Sequence, residues 1–356
     1  MIQREIDSLF DGNITLRCGE MLGRDITIDG LMEEGYKAVF VALGAHKSYR
    51  LGIEGEDMPG VVPSIQFLKA FNFKGDMLAR GRVGVVGGGN SALDAARVAL
   101  RQRDVTSVTI YYRRTRDEMP AFAEEIEAAL QEGIEIVTLV APSRLLSADG
   151  RLSGVRFQRN ELGDVDTAGR RRPVPIAGSE FEASLDTLIV AISEGSDTDC
   201  LMVAGVSRLS TNPNGTIVVD PETLLTNRPG VFAGGDVVTG PNTIVDAIAA
   251  GKKAAVVIER YLKSEMLKQP HVPLLPRVYV EPPPVEAEAD EETPRADTPR
   301  APVEWRRRGF AEVEMSLSAE ESRREALRCL RCDLEFTKPS PASEPQAARE
   351  SEVGVA

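Results

Sequence analysis

Val83-Gly84-Val85-Val86-Gly87-Gly88-Gly89-Asn90-Ser91-Ala92, continuing into Leu93-Asp94-Ala95-Ala96-Arg97, reads as a buried strand, a glycine turn and the first turn of a helix. A pyrophosphate needs this arrangement: Gly87 permits the tight turn, Gly89 lets the backbone come close to the phosphates, and the open N–H groups at the helix start face the anion. Gly88, Asn90 and Ser91 complete the candidate cradle, and Ala92 holds the third position of the G-x-G-x-x-G/A pattern. Ala92, Ala96 and Ala99 recur at helical spacing, so a small-residue face can lie close against a sheet. A plain glycine-rich turn in a βα unit is the competing reading.

The next strand decides between them. Ser107-Val108-Thr109-Ile110-Tyr111-Tyr112 is β-branched and aromatic. It ends about 20 residues beyond the last glycine, where a dinucleotide site discriminates its ribose. A carboxylate there would accept a hydrogen bond from a 2′-hydroxyl. This chain has Arg113 and Arg114 instead, with Arg116 beyond, and guanidinium groups suit a 2′-phosphate. The reading favours NADPH, with NADH as the alternative; a solvated basic loop is the plain structural explanation.

The chain has 356 residues and 42% hydrophobic content, enough for two domains with their own cores. A net charge of −13 argues against a nucleic-acid partner. No apolar run approaches the length of a membrane span and no signal peptide precedes the first strand, so a cytoplasmic protein is expected. The two histidines, His46 and His271, form no ligand or base pattern. The four cysteines, Cys18, Cys200, Cys329 and Cys332, are too few and too unevenly spaced for a disulfide framework.

Elsewhere the pattern predicts an extended Ile14–Arg17, a short helix near Ile28–Glu34, and a doubly covered strand over Lys37–Ala45. It predicts a helix over Ala123–Gln131 capped by Gly133, a strand from Ile134, an antiparallel meander between Gly150 and about Glu182, and a buried strand over Asp186–Ile192. A second strand–glycine–helix passage runs from Val231 through Gly234-Gly235-Asp236 to a helix starting near Pro241. Pro282-Pro283-Pro284 and the acidic run after Glu286 read as a linker. Ser318 to Glu321 is a capping box that opens a further helix.

Ala42-Leu43-Gly44-Ala45, Leu51-Gly52-Ile53-Glu54-Gly55-Glu56-Asp57, Gly87 to Asp94, Tyr112-Arg113-Arg114 with Glu118-Met119-Pro120-Ala121, and Gly230 to Asp236 occur in this order. Over residues 1–262 the chain thereby resembles the small (beta) subunit of glutamate synthase and its relatives, a group that includes the electron-input half of dihydropyrimidine dehydrogenase and many two-dinucleotide flavoproteins. The resemblance implies an α/β fold of two Rossmann-like three-layer nucleotide-binding domains, with an NAD(P)H domain inserted into an FAD domain. The expected division is an FAD-type first part over 1–80, the NAD(P)H domain over 81–182, an FAD-type second part over 183–262, a linker over 263–309, a cysteine-bearing helix over 310–336 and a disordered tail over 337–356.

The resemblance also implies site residues. Asp236, beside Gly235, would accept from a flavin ribityl hydroxyl, with Asn242 and Thr243 as donors at a helix start aimed at the flavin pyrimidine. Ala42 and Gly44 would pass close to the FAD. Relatives carry the fingerprint for the FAD pyrophosphate, and usually an iron–sulfur region, upstream of the segment matching Met1 to Asp7. The FAD domain is therefore expected to be truncated, with a partner subunit supplying the missing FAD half or carrying iron–sulfur clusters. An NADPH-binding regulatory subunit, or a fragment without flavin chemistry, is the alternative.

Cys329-Leu330-Arg331-Cys332 would place two sulfurs on one helix face, as a metal half-site, a redox pair or an inert docking helix. Two thiolates do not complete a cluster that needs four ligands. The nicotinamide domain contains no C-x-x-C, which argues against a dithiol active site. Asp94, Glu118 and Glu125 are expected to cap or solvate helices. Hydride transfer between a nicotinamide and a flavin rests on stacking geometry, so no catalytic side chain is required.

Overall fold

The computed structural model describes residues 2–10, 12–165, 169–201, 208–268 and 295–327. The chain divides into two units, Met1–Gln269 and Pro270–Ala356. The first contains, in order, α1 (Ile2–Leu9), α2 (Ile28–Glu33), β1 (Val39–Val41), β2 (Lys47–Ser48), β3 (Val61–Pro63), α3 (Ser64–Lys74), β4 (Gly81–Val86), α4 (Asn90–Leu100), β5 (Val105–Tyr112), α5 (Ala123–Gln131) and β6 (Glu135–Thr138). It continues through β7 (Val140–Ala148), β8 (Arg151–Val165), β9 (Arg171–Pro175), β10 (Phe181–Ala183), β11 (Thr187–Val190), β12 (Glu194–Gly195), β13 (Val231–Ala233), α6 (Asp236–Thr239) and α7 (Ile244–Leu262).

A parallel sheet in the order β3-β11-β4-β5-β6 organises this unit. Val83 to Val86 are all buried, as a strand covered on both faces requires. Successive residues feed two different cores, because side chains alternate across a strand. Val83 and Val85 pack with Ala92, Leu93, Ala96, Phe67 and Ile126 on the helical side. Val86 packs with Tyr111, Val155, Phe157 and Leu188 on the other. That second face is covered by antiparallel β7, β8 and β10, with β9 paired to β8. The Tyr111 and Phe157 rings stack at 4.0 Å. The result is three layers: helices, parallel sheet, antiparallel sheet.

The small-residue face of α4 allows the close packing that the sequence suggests. Ala92, Leu93, Ala95, Ala96 and Ala99 are fully buried. α5 ends as expected, with Gly133 at φ 88°, its N–H donating to Leu130 O and that of Ile134 to Ala129 O.

Two strand expectations need adjustment, and the parallel sheet reaches beyond the segment 81–182. It runs past both ends because β11 hydrogen-bonds between β4 and β3 and draws in a strand from each side. Lys37–Ala45 does not form one long buried strand. Only Val39–Val41 is β, and among the described residues it pairs only with β13, in a two-stranded parallel sheet. Ile14–Arg17 is irregular.

β2 and β12 form a short antiparallel pair. There Glu194 is buried with its carboxylate accepting from Ser64 Oγ at 3.2 Å, and burial pushes its carboxyl above the ordinary range.

In the second unit, α8 (Val303–Arg306) lies between two extended stretches that pair through Ala301 N–Val313 O and Met315 N–Pro299 O. Folded structure thus begins ahead of Phe310. The capping box forms: Ser318 N donates to Glu321 Oε2 at 2.9 Å and Glu321 N to Ser318 Oγ at 3.1 Å, opening α9 (Ala319–Leu327). Cys329, Cys332 and the expected tail lie outside the described residues. Among those residues, no helix is long and apolar enough to cross a membrane.

Candidate functional site

The chain steps from β4 to β5 on one side of the parallel sheet, while β11 lies on the other. The carboxyl ends of β4 and β11 therefore flank a topological switch point, the place where open α/β sheets receive ligands. Gly87 leaves β4 here at φ 148°. A Cβ on Gly87 would stand 2.1 Å from Ala191 O, at the end of β11. A Cβ on Gly88 would stand 2.5 Å from the Tyr112 ring. Only glycine lets the chain pass between these neighbours. Gly89 differs: the nearest atom to a Cβ there is Pro120 Cγ at 4.0 Å, so this backbone borders open space.

Gly89 is also the N-cap of α4. The N–H groups of Ala92 and Leu93 turn back to Gly89 O. Among the described residues, those of Gly89, Asn90 and Ser91 meet no acceptor. Three donors and the positive end of an 11-residue helix thus converge beside an opening. Ala92 is fully buried and serves the packing of α4.

The arginines separate. Arg113 is exposed where β5 ends. Arg114 is only 3% exposed and its Nε donates to Arg171 O at 2.6 Å, so its guanidinium is committed to the β8–β9 hairpin. The expectation that Arg114 shares a 2′-phosphate with Arg113 is not met by this placement. Consecutive residues leaving a strand point to opposite sides, so the two side chains part here. The side chain of Asn90 is also engaged, accepting from Phe122 N at 3.0 Å.

The second constellation sits where β1 and β13 end. Their parallel register pairs Val41 with Ala233, and Gly234 N donates to Val41 O at 3.2 Å. Ala42 and Gly234 therefore emerge side by side, with Gly235 one residue further on. Ala42 is exposed, and Gly44 (φ 70°) and Gly235 (φ 73°) hold left-handed conformations. Asp236 opens α6 half-buried, and among the described residues its carboxylate meets no donor. α7 starts at Ile244 rather than near Pro241, because Thr243 is the N-cap and accepts from Asp246 N at 3.2 Å. Asn242 Oδ1 accepts from Thr243 N at 2.9 Å. Both side chains fix the helix start, while among the described residues the N–H groups of Ile244 and Val245 meet no acceptor.

Sequence reasoning did not find the ion network below α4. Glu132, fully buried, receives Arg97 Nη2 and Arg101 Nη1 at 2.8 Å each, and Arg97 also meets Glu125. Its signal was present: Arg97 and Arg101 share one helix face, and Glu125 and Glu132 are spaced seven apart beside α5. Burial alone would raise the Glu132 carboxyl, but Arg101 and Arg97 outweigh it and hold it below the ordinary range.

Among the described residues no group of three His, Cys, Asp or Glu side chains could hold a metal ion. Cys18 is exposed; Cys200 is half-buried, its thiol pushed up by burial and then by Asp197.

Residues 13–251 match the family "Pyridine nucleotide-disulphide oxidoreductase", and the chain belongs to it. It is 40% identical over 335 residues to the NADP(+)-dependent formate dehydrogenase subunit beta of Moorella thermoacetica, a match covering 92% of this chain and 46% of that protein. It is 35% identical over 273 residues to the glutamate synthase [NADPH] small chain of Escherichia coli, covering 72% of this chain and 57% of the relative. The chain thus spans about half the length of these relatives. The solved structure of Mycobacterium tuberculosis FprA in complex with NADPH aligns over 68% of this chain and 67% of that one, with a TM-score of 0.56 and 18% identity; this likeness concerns the fold.

Proposed function

We propose that the chain is an electron-input subunit that takes reducing equivalents from NADPH and delivers them, through FAD, to iron–sulfur centres of a partner. The observation carrying this reading is the set of open donors at Gly89, Asn90 and Ser91 beside the switch point. They fit a pyrophosphate, and exposed Arg113 stands one strand over, where a 2′-phosphate would lie. On the other side, the unengaged Asp236 carboxylate fits a sugar-alcohol hydroxyl, and the start of α7 offers N–H groups and a positive dipole to an electron-rich ring. Bound at these positions, the nicotinamide would supply a hydride and the flavin would accept it for release as single electrons. The protein's task is to bind and orient; no acid or base side chain is needed at the transfer. The resemblance to glutamate synthase small subunits, and relatives that are themselves named as subunits, support a partner.

The NAD(P)H domain is proposed to extend across the whole parallel sheet, with the segments before β3 and after β12 forming the FAD-type portion. Cys329 and Cys332 are proposed as a half-site completed by that partner.

Arg113→Ala is expected to weaken NADPH by about tenfold or more and NADH by less than about twofold, the scale of lost hydrogen bonds to a charged group. Equal losses would contradict the assignment. Arg114→Ala should lower thermal stability and leave the NADPH/NADH ratio unchanged.

The flavin side is tested on the 356-residue protein with its partner present. Flavin absorbance bands are expected in the complex, with Asp236→Ala lowering flavin occupancy about tenfold on the same scale. A colourless protein that still binds NADPH would exclude the flavin role.

A further inference from the structure

We propose that Arg113–Phe122 is a strap that selects NADPH over NADH, and that Asn90 is its positioning residue; the inference rests on the coenzyme reading above. The strap leaves the sheet at the end of β5 and returns to the glycine turn. Within it, Thr115 and Glu118 form a reciprocal cap, with Thr115 N and Oγ1 donating to Glu118 Oε2 at 3.3 and 3.0 Å. Tyr112 Oη donates to Glu118 O at 2.8 Å and ties the loop back to its own strand. At its far end Ala121 N donates to Gly88 O at 3.2 Å, and Phe122 N donates to Asn90 Oδ1 at 3.0 Å.

The consequence is a division of labour within Asn90. Its backbone N–H faces the open side of the helix start, with those of Gly89 and Ser91. Its carboxamide oxygen clips the strap to that same turn. NADPH and NADH share the pyrophosphate that the backbone N–H groups would hold; only NADPH has a 2′-phosphate for Arg113. The clip holds the far end of the strap at the turn, while its near end is held by β5 and by Asn160 Nδ2 donating to Arg113 O at 3.2 Å, so the loop between the two recognition elements is ordered before binding. A side chain that itself touched the pyrophosphate would act equally on both coenzymes, whereas one that holds the strap acts on the difference.

The test uses the 356-residue protein with NADPH and NADH as probes. Asn90→Ala removes the acceptor and leaves the backbone donors in place. NADPH is expected to weaken about five- to tenfold while NADH changes less than about twofold, the scale of one net hydrogen bond. Amide exchange over 115–122 should accelerate in parallel. Asn90→Asp keeps the acceptor but places a negative charge near the phosphates, so both coenzymes should weaken together with the NADPH/NADH ratio retained. Equal losses for both coenzymes in Asn90→Ala, or unchanged exchange over 115–122, would overturn the strap. Failure of the unaltered protein to bind NADPH would overturn the coenzyme reading itself, and the strap with it.

Discussion

A Gly87→Ala protein is expected to lose NADPH binding and about 3 kcal/mol of stability. Two effects act in the same direction. The φ of 148° lies where L side chains are strained, and the new methyl would sit 2.1 Å from Ala191 O. That oxygen belongs to backbone at the end of β11, a strand hydrogen-bonded on both sides, so it cannot move without disturbing the sheet. Relief therefore has to come from the turn, which would carry the donors of Gly89, Asn90 and Ser91 away from their positions. Gly89→Ala makes the informative comparison. Its Cβ would enter open space, so folding should lose only the roughly 1 kcal/mol of a poorer N-cap, while a ligand approaching the turn would meet the methyl. Equal stability of the Gly87→Ala and Gly89→Ala proteins in a thermal melt would contradict this assignment of roles.

Glu132→Ala is expected to cost roughly 3–5 kcal/mol, because two guanidinium groups would lose their shared carboxylate in a buried place. Arg101 is 5% exposed and Arg97 17%, so water cannot replace what is lost. The pH dependence follows from the lowered Glu132 carboxyl. A group held below its unfolded value contributes stability that is present above the unfolded pKa and lost as pH falls through the folded one. Denaturant melts between neutral and acid pH should therefore show falling stability in the unaltered protein, and a shallower fall in Glu132→Gln. Identical pH profiles would remove the network from the stability of the α4–α5 layer.

How much was legible in the sequence follows from where each interaction runs. The turn Gly87–Gly89 and the small face of α4 were readable because their constraints are local: a turn needs glycine and a closely packed helix needs alanine. α5 with its Gly133 terminus, the antiparallel meander and the Ser318–Glu321 box were readable for the same reason. Arg114 and Asn90 were assigned to ligand on type and position alone. Their partners, Arg171 O and Phe122 N, lie 57 and 32 residues away, and nothing nearby in the chain announces them. Lys37–Ala45 looked like a central strand because it is apolar, but hydropathy does not report how many neighbours a strand has. β3 was missed because three residues ending in Pro63 carry little pattern; its place comes from β11.

The most direct measurement is a titration of the 356-residue protein with NADPH and, separately, with NADH, followed through the fluorescence of the reduced nicotinamide. Saturable binding is expected for both, tighter for NADPH by about tenfold or more, with the margin disappearing in Arg113→Ala. Absence of saturation with either coenzyme, or equal affinity for the two in the unaltered protein, would contradict a site in which the glycine turn holds the pyrophosphate and Arg113 reads the 2′-phosphate.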